Sequence, residues 1–285
     1  MRIVSFGPKR EEKPGVVHRD KVIDLLAVDS AIPPTVRGIL EANELDRIEA
    51  VLARADDLPG NCFAPLGEVR LGPPVTNPSK IICVGLNYAD HAEEQGKQVP
   101  DWPLTFAKAP SALVGDRDAI KHPSGVTELD HEVELAVYIG RRASDVALET
   151  ADEYVAGYSV FMDMSARDIQ YREKQFFRAK SFNGFGPAGP YLVTTDEIPD
   201  ANDLDISLEV NGQRFQASNT SQMTFKIPYL VHYMSHTMTL EPGDIIATGT
   251  PAGVGVFSNP KRFLKPGDIL KATVESLGTL TNPIA

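Results

Sequence analysis

The sequence DHEVELAVYIG, residues 130–140, decides how this chain folds. Its apolar run has the length and composition of a buried strand, and the strand period puts Glu132 and Glu134 on one face, with Val133 and Leu135 on the other. Two carboxylates side by side repel each other, and the arrangement becomes favourable when a cation lies between them. The alternative is an edge strand whose glutamates face water.

A third carboxylate follows a second apolar run, GYSVFMDMSARD, at residues 157–168. Asp163 ends that run, where an unpaired buried carboxylate would be costly. The alternative partner is Arg167, four positions on, if a helix runs through the segment. Three carboxylates without Cys or His favour a hard ion, Mg²⁺ or Mn²⁺ first and Ca²⁺ next, over zinc. We therefore predict a metal site on Glu132, Glu134 and Asp163.

The segment GLNYADHAEEQGK, residues 85–97, contains a candidate general base. On a helix, His91 and Glu94 are neighbours, so the carboxylate can orient the imidazole and raise its basicity. The alternative is that Asp90 caps the helix N-terminus and Glu93 completes a capping box.

Lys180 precedes a Gly- and Pro-rich stretch, residues 181–190, whose backbone N–H groups can approach a ligand closely. The alternative is an ordinary surface lysine. The Gly-rich turn ATGTPAGVG, residues 247–255, lacks the nucleotide-binding patterns. The remaining histidines show no metal spacing and are interpreted as structural or solvated: His18, His122, His131, His232 and His236.

The first part of the chain predicts a small unit of strands and a helix. Alternating apolar residues predict a strand in residues 1–7 and two more in residues 15–25, and apolar spacings of three and four predict a helix in residues 35–57. A Pro-rich connector, residues 72–80, then precedes a near-continuous apolar segment, residues 81–86, that predicts a buried strand.

The rest of the chain is mostly strand and turn. A capping box of Thr150 and Glu153 predicts a helix that begins at Thr150. Further strands are predicted at residues 206–210, 245–248 and 269–274. The expected fold is mixed α+β and mainly β, with a small N-terminal α/β domain at residues 1–75 and a catalytic domain at residues 76–285.

Composition narrows the classes of partner. The 285 residues carry a formal charge of −11 without a cluster of Lys and Arg, which argues against a nucleic-acid or anionic-membrane surface. No apolar run approaches membrane-spanning length, and Cys62 and Cys83 form no CxxC pair. We therefore expect a cytoplasmic protein with buried free thiols.

Seven motifs in order, from about residue 80 to about residue 267, resemble the fumarylacetoacetate hydrolase family. They are GLNYADHAEE, FAKAPSALVG, DHEVELAVYIG, GYSVFMDMSARDIQ, RAKSFNGFGPAGP, SNTSQMTF and EPGDIIATGTPAGVG. The resemblance implies the family's β-rich barrel or roll as the catalytic domain, and a homodimer.

The resemblance also assigns roles to individual residues. It implies metal ligands at Glu132, Glu134 and Asp163, a catalytic dyad at His91 and Glu94, a substrate-facing Lys180, and substrate contacts at Gln170 and Thr250. Two positions depart from the common family pattern: Asn183 replaces an Asp in KSFD, and Gln222 replaces an Asp in NTSD. The family's most common substrates therefore do not transfer directly to this chain.

The function expected from the resemblance is metal-dependent hydrolysis of a carbon–carbon bond in an acylpyruvate or 2,4-diketo acid, giving pyruvate and a carboxylic acid. His91, held by Glu94, would take a proton from the attacking water, and Lys180 would stabilise the developing oxyanion. The alternatives are an oxaloacetate-type decarboxylase, a hydroxymuconate-type isomerase, and a non-catalytic metal- or ligand-binding module.

Overall fold

Strands dominate the computed structural model, which describes all of residues 1–285, with 25% of the chain in helices and 33% in strands. The strands are β1 (Arg2–Phe6), β2 (Lys13–His18), β3 (Lys21–Asp24), β4 (Phe63–Pro65), β5 (Ile81–Gly85), β6 (Leu104–Lys108), β7 (Leu113–Val114), β8 (Leu129–Asp130), β9 (Val133–Ile139), β10 (Val155–Met162), β11 (Ser165–Ala166), β12 (Gly186–Thr194), β13 (Asp205–Val210), β14 (Gln213–Asn219), β15 (Ile245–Ala247), β16 (Ile269–Val274) and β17 (Gly278–Pro283).

The helices are short. The α-helices are α1 (Leu25–Val28), α2 (Val36–Glu41), α3 (Leu45–Ala53), α4 (Ala89–Glu94), α5 (Arg167–Glu173), α6 (Phe176–Ala179) and α7 (Ile227–Ser235). The 3₁₀ helices are Ala55–Asp57, Gly60–Cys62, Pro110–Ala112, Leu148–Tyr154, Thr195–Glu197, Thr220–Gln222 and Gly255–Phe257. None of the helices combines the length and the apolar character needed to cross a membrane.

Strand β9, which carries most of the sequence DHEVELAVYIG, lies inside the largest sheet. It pairs antiparallel with β10 on one side and with β15 on the other, and all of its residues are buried. Glu132 and Glu134 are 5% and 2% exposed. The edge-strand alternative is therefore wrong, since a strand paired on both sides gives its glutamates no open edge.

The largest sheet has the strand order β4-β3-β2-β1-β12-β10-β9-β15-β5-β6, with β7 paired to β12. A second sheet has the order β14-β13-β16-β17, and β8 and β11 form a short pair. The predicted α+β, mainly β fold is confirmed, although the sheets are open and form no closed barrel. Strand β1 joins the two predicted domains through its pairing with β12, and the division at residues 75 and 76 stays a prediction.

The two faces of β9 pack against different hydrophobic cores, and one of these faces also carries the carboxylates. Leu135 belongs to the larger core, whereas Ala136 and Tyr138 belong to a second core that includes α2 and α3 of the N-terminal part. Glu132 and Glu134 share the face of Ala136 and Tyr138 because of the strand period. The N-terminal part therefore packs on one half of this face, and the carboxylates occupy the other end.

Two helix predictions need correction. The helix predicted for residues 35–57 is broken into α2 and α3, and Asn43 between them has a left-handed φ of 55°. The helix predicted to begin at Thr150 is instead a 3₁₀ helix, Leu148–Tyr154. Strand β10 begins immediately afterwards at Val155, where branched and aromatic residues favour extended backbone over a continuing helix.

Candidate functional site

Three carboxylates meet where β9 and β10 lie side by side. Glu132, Glu134 and Asp163 each offer one oxygen, and these atoms lie within 4.8 Å of one another. Phe161 pairs with Glu134 in the sheet, and the Asp163 N–H donates to the Glu132 carbonyl oxygen at 2.9 Å. The register of the two strands therefore brings together the three residues predicted from sequence.

Buried cations surround two of these carboxylates. Lys180 Nζ donates to Glu132 Oε2 at 2.5 Å and to Asp163 Oδ2 at 2.7 Å. Arg167 donates from Nη2 to Glu132 at 2.6 Å and from Nε to Asp130 at 2.8 Å. The surface alternative for Lys180 is therefore wrong, and so is the pairing of Asp163 with Arg167, because α5 begins only at Arg167.

The two glutamates differ in charge environment. Burial opposes ionisation of Glu132, but Lys180 and Arg167 outweigh it and lower the pKa of the Glu132 carboxyl to about 2. Burial and two neighbouring carboxylates raise the pKa of Glu134 well above its usual range. Glu134 accepts one hydrogen bond, from Gly249 N–H at 3.0 Å, and forms no ion pair. Glu134 is the carboxylate that lacks a cation.

Lys108 is a buried cation that sequence reasoning missed. It is 1% exposed, and its Nζ lies 2.7 Å from Asp163 Oδ1. The Lys108 ammonium also lies within hydrogen-bond distance of the carbonyl oxygens of Met164, Lys180 and Phe185. Lys108 is therefore the buried counter-ion of Asp163 Oδ1.

The donor set fits a hard divalent cation. Glu134 is a buried carboxylate without a counter-ion, and its oxygen lies within 4.8 Å of oxygens of Glu132 and Asp163. One ion that takes oxygen ligands, as Mg²⁺, Mn²⁺ and Ca²⁺ do, would supply that counter-ion and would be shared by the three carboxylates. Glu132, Glu134 and Asp163 are the residues that would hold it.

We expect Lys108→Met to lower the free energy of unfolding by roughly 3–5 kcal/mol, the cost of removing one partner from a buried ion pair. Urea denaturation followed by circular dichroism measures the change. The matched control is Lys271→Met on β16, which makes the same substitution at an exposed lysine. A loss no larger than that of the control would contradict a structural role for Lys108.

The predicted dyad is present on α4. His91 Nδ1 lies 2.9 Å from Glu94 Oε2, and Glu94 Oε1 accepts from Gly253 N–H at 2.9 Å. Glu94 therefore connects the histidine to the turn that follows β15. The capping alternative for Asp90 is wrong, because Tyr88 is the residue that precedes the helix.

The side chains around His91 fix its tautomer. Lys97 Nζ, which can only donate, lies 2.9 Å from Gln95 Oε1. The amide nitrogen of Gln95 therefore faces His91 Nε2, at 2.8 Å, and donates to it. His91 Nε2 must be the acceptor, so the ring proton lies on Nδ1 and points to Glu94. This is the neutral form that a general base at Nε2 requires.

The dyad and the carboxylates line the same cavity, whose volume is about 320 Å³. Its lining includes every predicted site residue except Glu94 and Asp163: His91, Glu132, Glu134, Gln170, Lys180 and Thr250. Its walls also include four aromatic side chains: Phe106, Tyr171, Phe176 and Phe257. A larger groove of about 640 Å³ elsewhere contains none of the predicted site residues. The smaller cavity is therefore the candidate active site.

The two predicted substrate contacts are held by neighbouring side chains. Gln170 accepts from Arg167 Nη1 at 3.0 Å. Thr250 Oγ1 donates to the Val133 carbonyl oxygen at 2.8 Å and accepts from Gln216 Nε2 at 2.7 Å. Gln216, fully buried, also accepts from Val133 N–H at 3.0 Å and so fixes the backbone between the two glutamates. Sequence reasoning missed Gln216 because no local pattern marks it.

Comparison with known proteins identifies the family. The model of the fumarylacetoacetate (FAA) hydrolase C-terminal family matches residues 80–285. The chain belongs to the fumarylacetoacetate hydrolase family. The resemblance inferred from the seven motifs is therefore confirmed, and the match contains every predicted site residue.

Relatives of this family member carry several activities in their names. The rat protein named oxaloacetate tautomerase Fahd2a, mitochondrial, is 44% identical over 100% of this chain and 91% of its own length. A maleylpyruvate hydrolase from Sphingobium sp. SYK-6, solved with manganese(II) and pyruvate, has a TM-score of 0.83 and 32% identity over 100% of this chain and 99% of its own. A 5-carboxymethyl-2-hydroxymuconate delta-isomerase from Mycobacterium smegmatis has a TM-score of 0.78 and 35% identity, covering 100% and 98%.

Proposed function

We propose that this protein is a metal-dependent enzyme that acts on a small 2-oxo acid, and that it interconverts the keto and enol forms of oxaloacetate. The observation that carries the proposal is His91, whose Nε2 is an acceptor in the same cavity as the carboxylate cluster. Tautomerisation needs one base at the carbon beside the 2-oxo group, and this dyad supplies one. The name of the rat relative, 44% identical, supports the substrate.

Each site residue has a role in this proposal. Glu132, Glu134 and Asp163 would hold Mg²⁺ or Mn²⁺, with Ca²⁺ as a third choice. Such an ion polarises a 2-oxo group and neutralises charge on its oxygen. His91 Nε2 removes a proton from carbon 3 of the keto form, and Glu94 stabilises the imidazolium that results.

The remaining residues bind and orient the substrate. Lys180 places a positive charge beside the oxygen that becomes negative. Gln170 and Thr250, which both line the cavity, would contact the substrate and fix its orientation. In the enol product, the proton lost from carbon 3 is balanced by one on the former 2-oxo oxygen.

The second candidate is hydrolysis of an acylpyruvate, in which His91 takes the proton from water rather than from carbon. The manganese-containing maleylpyruvate hydrolase, 32% identical, supports this reaction. Hydrolysis also needs the His91–Glu94 dyad, which is present at 2.9 Å. Decarboxylation of oxaloacetate requires no base at this position. The presence of the dyad therefore supports decarboxylation less than it supports tautomerisation or hydrolysis.

One set of assays tests these reactions. With Mg²⁺ or Mn²⁺ present, we expect faster equilibration of enol and keto oxaloacetate, followed by the ultraviolet absorbance of the enol. Formation of pyruvate from acetylpyruvate, with products identified by mass, would instead favour hydrolysis. Absence of turnover of both oxaloacetate and acetylpyruvate with either metal would contradict the proposal and favour a non-catalytic module.

Assembly and location are further proposals from the family resemblance. We propose a homodimer, which light scattering after size exclusion tests by the mass of the particle. The partner in the cavity is a small-molecule acid rather than nucleic acid or membrane, consistent with the net charge of −11. A cytoplasmic location is our expectation, whereas the rat relative is named mitochondrial.

A further inference from the structure

We propose that Gln95 is a latch on the His91 base, that Lys97 holds this latch closed, and that a second carboxylate on the substrate releases it. The inference rests on the proposed function, and it gives the distal carboxylate of oxaloacetate or a similar 2-oxo dicarboxylic acid a role in freeing the base. It follows from the row of hydrogen bonds Lys97–Gln95–His91–Glu94.

The latch follows from the acceptor capacity of His91. A neutral imidazole has one ring nitrogen that accepts, and in His91 this is Nε2. That atom already accepts from Gln95 Nε2 at 2.8 Å. His91 cannot take a proton from a substrate until the Gln95 amide has moved away. Lys97 opposes that movement, because it donates to Gln95 Oε1 at 2.9 Å and fixes the amide orientation.

Lys97 is available to bind a carboxylate of the substrate, because its charge is unpaired in the protein. Lys97 lines the cavity and is exposed, and neither it nor Lys174, which lines the same cavity from the end of α5, forms an ion pair. The cavity's inner cations, Lys180 and Arg167, are both bound to Glu132. Among the side chains that line the cavity, Lys97 and Lys174 are therefore the lysines whose charge no carboxylate of the protein neutralises.

A distal carboxylate should displace the Gln95 oxygen from Lys97. A carboxylate carries a full negative charge, so it attracts the Lys97 ammonium more strongly than the neutral Gln95 amide oxygen does. Once Lys97 binds the carboxylate, Gln95 Oε1 loses its donor, the amide can rotate, and His91 Nε2 becomes free. An acid that ends in a methyl group offers Lys97 no such partner, so the latch stays closed.

Binding of a matched pair of unreactive acids tests whether Lys97 recognises a distal carboxylate. 2-Oxoglutarate and 2-oxopentanoate have the same number of carbons and differ in the distal carboxylate. In calorimetry with Mg²⁺ present, we expect the wild type to bind 2-oxoglutarate about two- to fivefold more tightly than 2-oxopentanoate. Lys97→Met should reduce this preference to the part that Lys174 retains, and the exposed-lysine control Lys271→Met should keep it in full. Equal binding of both acids by the wild type, or an unchanged preference in Lys97→Met, would overturn the inference.

Histidine NMR tests the latch itself. With ¹⁵N-labelled histidine, and His91→Asn to assign the signal, we expect 2-oxoglutarate but not 2-oxopentanoate to shift His91 Nε2. Gln95→Ala should give the released signal without any acid, and an unshifted Nε2 in that variant would overturn the latch. If the wild type binds neither acid, the 2-oxo acid function fails first. Equal binding of both acids is a different result: it contradicts the proposed latch and its release by a distal carboxylate, but leaves the 2-oxo acid function standing.

Discussion

His91→Asn is expected to lower turnover of oxaloacetate by ~10²–10⁴-fold, the usual contribution of a positioned general base. The Asn amide can replace the Nδ1–H that faces Glu94, at 2.9 Å in the wild type, but has no counterpart of Nε2. The substitution therefore removes the proton acceptor and keeps the contact with the rest of the dyad. Steady-state kinetics with Mn²⁺ measures the loss.

Metal affinity separates a lost base from a damaged site. Because His91 is not among the three carboxylates, we expect Mn²⁺ affinity to stay within about twofold of wild type. Glu94→Gln is the second control. Its amide has a single oxygen to share between Gly253 N–H and His91 Nδ1–H, so it disfavours the tautomer with Nε2 free and should also slow turnover. Full activity of His91→Asn would place the base elsewhere.

Local patterns predicted eight of the seventeen strands, because each of these patterns is complete within a few residues. The runs at residues 81–86 and 132–139 became β5 and β9, and the segments at 206–210 and 269–274 became β13 and β16. The capping box at Thr150 failed for the same reason. A capping box indicates where a helix can begin. The residues that follow belong to β10, however, and the pairing of this strand on both sides outweighs a local helical preference.

The site residues were predictable from sequence where a local signal marks them, either the cost of burying an acid in an apolar run or a characteristic spacing. Glu132, Glu134 and Asp163 stood out as acids in apolar runs, whereas Lys108 and Gln216 did not. Lys108 meets the Lys180 carbonyl 72 positions away, and Gln216 meets Val133 across 83 positions. Such contacts depend on which strands become neighbours, and no local periodicity encodes that order.

Glu134→Gln is expected to stabilise the metal-free protein and to weaken metal binding. In the wild type, Glu134 is buried beside two other carboxylates and has no cation partner. Gln keeps the shape and can still accept from Gly249 N–H, but it removes the repulsion and the cost of a buried charge. We expect a gain of roughly 1–3 kcal/mol in the free energy of unfolding with chelator present, the usual cost of a buried polar group without a compensating partner. The rise in melting temperature on adding Mn²⁺ should shrink.

Glu132→Gln is the matched control, two residues away on the same face. Its wild-type carboxylate pairs with Lys180 at 2.5 Å and Arg167 at 2.6 Å, so neutralising it leaves two buried cations short of a partner. We expect this variant to lose about 3–5 kcal/mol without metal. Both variants should bind Mn²⁺ more weakly in calorimetry, so the opposite signs of their metal-free stabilities separate ligand loss from charge balance. If Glu134→Gln destabilises the metal-free protein as much as Glu132→Gln, a counter-ion for Glu134 exists without the metal, and the argument for a cation at this carboxylate is lost.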